Sequence, residues 1–181
     1  MKPKPTKIGV ISDTHGLLRK EALDALHGSE LIIHAGDIGG RKIIEMLSRI
    51  AGVVAVRGNT DRDGWGGSLP ETAVVEAAGA LIYVLHDMHA LELDPAAAGF
   101  QIVVSGHSHK PSRALRVGVL YLNPGSAGPK RFDLPITLAR INLTPDPWEI
   151  EFADLSGTHT KKVARTMNTF EQRERRRASI I

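Results

Sequence analysis

The chain contains no cysteine, which excludes disulfides, thiolate nucleophiles and every zinc site built on sulfur. Any metal must rest on His, Asp, Asn or Glu. Aromatic residues are scarce, at 4% of 181, so the core has to be made from Val, Ile, Leu and Ala. The same scarcity leaves little for stacking nucleic-acid bases. No apolar run approaches the ~20 residues of a membrane span; residues 73–85 are broken by Glu76. The opening MKPKPTK leads into IGVI, too short an apolar stretch for a signal peptide. A cytoplasmic protein with no membrane attachment is the expectation.

What is present is ordinary in bulk. The length fits one domain with a sizeable core, and 42% hydrophobic with 24% charged residues is typical of globular chains. The net charge of +3 is unevenly spread: residues 1–160 hold 16 Lys/Arg against 18 Asp/Glu, and residues 161–181 hold 7 against 2. The expected organisation is therefore one domain over residues 1–160 and a basic tail or helix over 161–181. That tail reads as a solvated segment or as a patch for phosphate-rich partners.

The first half alternates short apolar strands with helical spacing. Residues 8–11, 31–33 and 53–56 read as strands, and residues 17–27 and 39–50 as helices closed by Gly28 and Gly52. That alternation implies a parallel core. Residues 63–70 (DGWGGSLP) read as a Gly-rich loop. Beyond it the pattern turns to β: residues 71–77, 80–85, 102–105, 114–117, 119–122, 136–141 and 148–152 read as strands in antiparallel hairpins. Turns fall at Gly118 and residues 145–147, and the one helical candidate is residues 95–98.

Chemistry collects where these strands end. KIGVISDTHG delivers Asp13 and His15, two apart, which extended backbone would send to the same side. The next strands deliver Asp37, then Asn59, then His86, then His107 and His109 from Gly-His-Ser-His. Ligands of α/β sheets gather at the carboxyl ends of strands. Two Asp, one Asn and four His in one crevice are too many for one tetrahedral ion and suit two. Mixed oxygen and imidazole donors favour Mn, Fe, Zn or Ni over Mg or Ca, with Mn placed first. Paired ions of this kind hydrolyse phosphate esters through a bridging hydroxide.

The series Asp13-x-His15, Gly36-Asp37, Gly58-Asn59-x-Asp61, His86 and Gly106-His107-x-His109 resembles the calcineurin-like metallophosphoesterase superfamily. His34-Ala35-Gly36-Asp37 and Asn123-Pro124-Gly125-Ser126 resemble its small prokaryotic branch, the YfcE-type phosphodiesterases. The resemblance covers residues 7–155. It implies a four-layer αββα sandwich of two mixed sheets flanked by helices. It also implies that Asp13, His15 and His109 hold one ion, Asn59, His86 and His107 the other, and that Asp37 bridges them. By the same resemblance Asp37, Asn59 and Asp61 would carry the catalytic roles, with Asp61 orienting a neighbouring side chain or water.

Two departures from the family pattern bear on activity. Thr60 stands where efficient monoesterases often have His, so a leaving-group acid worth ~10²–10⁴-fold is missing, and activated diesters become the expected substrates. Asp87 follows His86 where the family has Gly, and His89 is the fallback ligand. Arg57, Lys130 and Arg131 are candidates for contact with substrate phosphate, Trp65 for the mouth of the site or the core, and His34 for a structural role; His27 and His159 read as surface. The function read from the sequence is metal-dependent phosphodiester hydrolysis. Its alternatives are a phosphomonoesterase or nuclease on the same site, or a non-catalytic scaffold of the same fold. A phosphate-ester substrate is the expected partner, a homodimer is open through an unpaired edge strand, and nucleic acid has little support.

Overall fold

Strands with no polar face have to be covered on both sides, and that requirement sets the architecture. The computed structural model of the chain describes residues 6–62, 64–144 and 147–157. The lead-in at residues 2–5, Asp63, the corner at residues 145–146, His159 and the basic tail at 161–181 lie outside them.

In chain order the strands are β1 (Lys7–Ile11), β2 (Leu31–His34), β3 (Gly52–Ala55), β4 (Thr72–Ala77), β5 (Ala80–Leu85), β6 (Ile102–Val104), β7 (Ser112–Arg116), β8 (Val119–Asn123), β9 (Thr137–Asn142) and β10 (Glu149–Asp154). They form two five-stranded mixed sheets, ordered β10-β9-β1-β2-β3 and β4-β5-β6-β8-β7. In the first, β1, β2 and β3 run parallel, while β9 lies antiparallel between β1 and β10.

Alternation along each strand assigns the layers. Ile8 and Val10 of β1, Ile33 of β2, Ile82 and Val84 of β5, Ile102 and Val104 of β6, and Leu120 and Leu122 of β8 pack together between the sheets. Their neighbours Ile11 and Ile32 face outward onto α1 (Lys20–Leu26) and α2 (Arg41–Leu47) through Ala22, Leu26, Ile43 and Leu47. The outer face of the second sheet is thinner. Leu85, Val103 and Val119 are covered there by Met88, Leu91 and Ala96 from a 3₁₀ turn and loop. The two mixed sheets of the expected sandwich are thus present, flanked by few helices: α1 and α2 cover the first, and a 3₁₀ turn with its loop covers the second.

Four local expectations need correction. The second sheet is not all hairpins: β4–β5 and β7–β8 are antiparallel, but β5, β6 and β8 run parallel. The chain between β5 and β6 is long enough to cross over without a regular helix, so helical spacing gave no signal of it. Residues 95–98 form turns rather than a helix. The 3₁₀ turn at Met88–Ala90 lies elsewhere and is capped by Asp87, whose side chain accepts from the His89 N–H. The Gly-rich stretch contains a single helical turn, α3 (Gly64–Gly67). Trp65 of α3 packs onto the core behind the first sheet, which settles its two readings in favour of the core. The main helices are also shorter than their periodicity: residues 16–19 lead from β1 to α1 without helix, and α2 gives way to turns at residues 48–50.

Seven-residue helices are not stable alone, so α1 depends on its seat. That seat is Gly9, where an added Cβ would overlap Leu26 Cδ2 and lie 2.9 Å from Ser29 Oγ. Leu26→Ala removes a fully buried side chain and is expected to cost about 2–5 kcal/mol. Gly9→Ala is expected to destabilise by overpacking. Because the two changes trade volume across one contact, the double variant should cost less than the sum of the singles in urea unfolding. Strict additivity would show that the helix does not rest on Gly9.

Candidate metal centre

The carboxyl ends of β1, β2 and β3 in one sheet meet those of β5 and β6 in the other, and each donates to the same crevice. The seven residues picked out by the sequence form one connected set. His109 Nε2 lies 3.3 Å from Asp13 Oδ1 and 3.4 Å from His15 Nε2. Asp37 Oδ2 stands between His15 Nε2 at 3.9 Å and His86 Nε2 at 3.5 Å. Asn59 Oδ1 is 3.1 Å from His86 Nε2 and 3.0 Å from His107 Nδ1. The His107 N–H donates to Asp13 Oδ2 at 3.2 Å, which closes the ring.

The backbone that achieves this is not extended. Asp13 (φ 55°), His15 (46°), Asp37 (53°), His107 (66°) and His109 (57°) all occupy the left-handed region. Such residues are uncommon outside glycine and cluster where a site needs them. Asp13 and His15 do reach one crevice, but by two left-handed residues rather than by strand alternation.

A second tier of hydrogen bonds holds these turns. Asp61 accepts from the N–H groups of Ile38 (3.0 and 2.9 Å), Gly39 (3.0 Å) and Gly58 (3.0 Å). What it orients is therefore the main chain just after Asp37 and just before Asn59. His34, fully buried, pairs through Nε2 with the Thr14 hydroxyl at 2.9 Å, and Thr14 donates onward to the Ile38 carbonyl. This is the structural role expected of it. Gly58 and Gly106 are required by proximity: a Cβ would overlap Asp37 Oδ1 at the first and Ser12 Oγ at the second.

Electrostatics prepares the donors. Burial pushes the Asp13 carboxyl up to about 6, against hydrogen bonds from Ser12 and His107. Burial also lowers His109 to about 4 and holds His15 below its usual value, with the Arg131 guanidinium adding to both shifts. Both imidazoles are thus neutral near pH 7, with a lone pair to give. Asp37 behaves oppositely: burial raises it, but hydrogen bonds from His86 and Thr60 outweigh that and keep it well below the carboxylate range. For His86, burial opposes the charged form, while Asp37 and the Ala35 carbonyl raise its pKa overall. His86 Nδ1 donates to that carbonyl at 2.7 Å, leaving Nε2 turned to the crevice.

These donors fit metal ions. Donor atoms about 2.1 Å from one ion stand roughly 3.0–3.4 Å apart, the spacing found around His109. Asp13 Oδ1 is buried and makes no hydrogen bond. Donor atoms of Asp13, His15 and His109 lie within 4.8 Å of one another, as do those of Asp13, Asp37 and His86.

Of the remaining candidates, Lys130 is exposed and makes no hydrogen bond or ion pair among the described residues, which takes it out of the site. Arg131 reaches the centre, its Nη2 3.4 Å from His15 Nε2. Arg57 is engaged by Glu71 and the Gly67 carbonyl. His89 points to solvent and pairs with Asp87 Oδ1, while Asp87 Oδ2 lies 3.8 Å from His107 Nε2. A cleft of about 660 Å³ runs outward from Asn59, His86 and His107 between Arg57, Tyr83 and Leu93. The sequence reading assigned no role to Asn123, whose Nδ2 donates to the Gly106 carbonyl at 2.6 Å and to Ser108 Oγ at 3.1 Å. It fixes the loop bearing both histidines. Its position at the end of β8, before Pro-Gly-Ser, was the available signal.

The calcineurin-like phosphoesterase superfamily domain matches residues 6–146. A probable metallophosphoesterase of Methanocaldococcus jannaschii is 36% identical over 132 residues, spanning 66% of this chain and 67% of that protein. Among solved structures, the phosphoesterase Yfce of E. coli superposes with a TM-score of 0.68 at 22% identity, covering 90% of this chain and 100% of that one. Entamoeba histolytica Vps29 complexed with zinc does so with a TM-score of 0.73 at 23% identity, covering 90% and 99%. At such identities the structures speak for the fold alone. The family match and the Methanocaldococcus jannaschii relative speak for descent, and on them the chain belongs to the calcineurin-like phosphoesterase superfamily.

Proposed function

We propose that the chain is a two-metal phosphoesterase whose preferred substrates are phosphodiesters with good leaving groups. The observation that carries this reading is the position of Asp37 Oδ2 between two groups of imidazole donors, 3.9 Å from His15 Nε2 and 3.5 Å from His86 Nε2. Asp13, His15 and His109 would hold one divalent ion, Asn59, His86 and His107 the other, and Asp37 both. Manganese is the first choice, with iron, zinc or nickel as alternatives. When bound, such a pair supplies an activated water nucleophile and neutralises charge on phosphoryl oxygens.

The chain's own contribution is arrangement. Asp61 pins the turns that present Asp37 and Asn59, so the donors need little reorganisation when charge develops on the phosphate. Thr60 lies where a leaving-group acid would stand, and its hydroxyl cannot serve as one at neutral pH. Its backbone N–H instead donates to Asp37 Oδ1 at 2.9 Å. A substrate whose alcohol leaves without protonation suits this site. The cleft beside the second donor group is available for the substrate's remaining ester. A scaffold role draws only on the likeness of fold to Vps29, and convergence of all seven donors argues against it.

An activated aryl phosphodiester and the matching monoester, assayed with Mn²⁺ and with chelator, test the reading. Diester cleavage should exceed monoester cleavage and vanish with chelator. Asp37→Asn should lower turnover by about 10²-fold or more, the scale of losing one electrostatic contact to the transition state. Monoester preference would overturn the leaving-group argument, and absence of turnover with every transition metal would bring the scaffold reading forward. Thr60→Ala keeps the backbone N–H on Asp37. It should retain aryl diester turnover to within about tenfold, the scale of one hydrogen bond. Complete loss would show that the Thr60 hydroxyl takes part in the chemistry.

A further inference from the structure

Among the described residues Arg131 is the one cation that touches the donor set, and the fold has no evident use for it. Its guanidinium can only donate, so at 3.4 Å it faces the lone pair of His15 Nε2. That lone pair is the one a metal ion would take, and two cations cannot share it. Arg131 must therefore stand back when an ion binds, and an anion on that ion would lie between two positive centres. Among the described residues Arg131 makes no ion pair with a carboxylate, whereas Arg57 and Arg140 are taken by Glu71 and Glu151. It is also exposed, so moving aside breaks no core packing.

The root of its loop is fastened to the metal centre. Ser126 Oγ donates to the Asp13 carbonyl at 3.0 Å and the Ala127 N–H to the Ser12 carbonyl at 3.0 Å. Arg19 Nη2 donates to the Gly128 carbonyl at 3.2 Å. At Gly128 an added Cβ would overlap the carbonyl oxygen of Asp13. The backbone thus leaves the end of β1 at close contact, and Arg131 follows three residues later, on an arm short enough to keep it over the site.

We propose that Arg131 is a substrate-binding residue that grips a phosphoryl oxygen from the His15–His109 side, opposite the cleft beside His86 and His107. The proposal rests on the phosphoesterase reading above. The planar fork of a guanidinium suits two oxygens of a phosphate, and the added positive charge stabilises the transition state as phosphoryl charge shifts. Its effects on the ion and on the anion are opposite in sign. It repels the first and attracts the second, which no purely structural role would do.

The test uses the full chain, with Arg131→Ala, Arg131→Lys and, as a control for local charge, Lys130→Ala. Calorimetry reads Mn²⁺ binding and then inorganic phosphate binding to the Mn²⁺-loaded protein; kcat and KM are measured on the aryl diester. Arg131→Ala should bind Mn²⁺ at least as tightly as wild type but phosphate about tenfold or more weakly, the scale of one hydrogen bond to a charged group. Lysine should recover part of that loss, and Lys130→Ala should match wild type. Unchanged phosphate affinity in Arg131→Ala would overturn the assignment. So would weakened Mn²⁺ binding, which would mark a structural role, or an equal loss in Lys130→Ala, which would mark diffuse charge. A wild type that binds phosphate through Arg131 yet hydrolyses no ester would sink the phosphoesterase reading and leave the grip standing.

Discussion

Two buried carboxylates held a short distance apart, Asp13 and Asp37, are the constraint on which the rest of the molecule depends. They are 0% and 3% exposed, and like charges so placed repel. No lysine or arginine salt bridge relieves either of them among the described residues. What relieves them is an environment of imidazoles and main-chain N–H groups aimed inward: His86 and Thr60 on Asp37, the His107 amide on Asp13. The parallel pairing of β1 with β2 sets the spacing of the two acids, because Ile11 and His34 lie in register just before them. The second sheet then has to end at the same height, since His86, His107 and His109 complete the set from β5 and β6.

Rigidity at this end comes from polar contacts rather than from the apolar core. Asp61, the His34–Thr14 pair and Asn123 each tie one ligand-bearing turn to its neighbour's main chain. Their combined effect is to hold five non-glycine residues in left-handed backbone, each at a cost of about 1–3 kcal/mol when isolated. Strain of that size survives only where surrounding bonds over-determine the conformation. The glycines at 58 and 106 serve the same end by letting backbone come within contact distance of the donors.

The sequence made the donor residues legible because each follows a short apolar strand, and because their order is specific as a set. The first sheet was legible through its regular alternation of strand and helix. Other features depended on contacts far apart in the chain. The left-handed conformation of Asp13 and His15 goes with main-chain hydrogen bonds from their N–H groups to the Gly36 and Asp37 carbonyls on another loop, so local spacing suggested extended backbone instead. The parallel run of β5, β6 and β8 lacks crossover helices and therefore lacked the periodicity that signals parallel pairing. Asp61 was recognised as a supporting residue, but its partners on another loop could only come from the fold. Trp65 had two readings, and its packing from α3 onto the core behind the first sheet selects one.

The donors are drawn from both sheets: β1, β2 and β3 supply one side of the crevice, β5 and β6 the other. An ion bound there would be a cross-link between layers that otherwise meet through apolar packing and a few hydrogen bonds. The occupied protein is favoured over its open states by mass action, more so as free metal exceeds the dissociation constant. The emptied protein keeps the repulsion and the orphaned Asp13 oxygen. Metal supply would then govern how long each molecule resists proteolysis, so the chain's abundance would itself be a record of metal status.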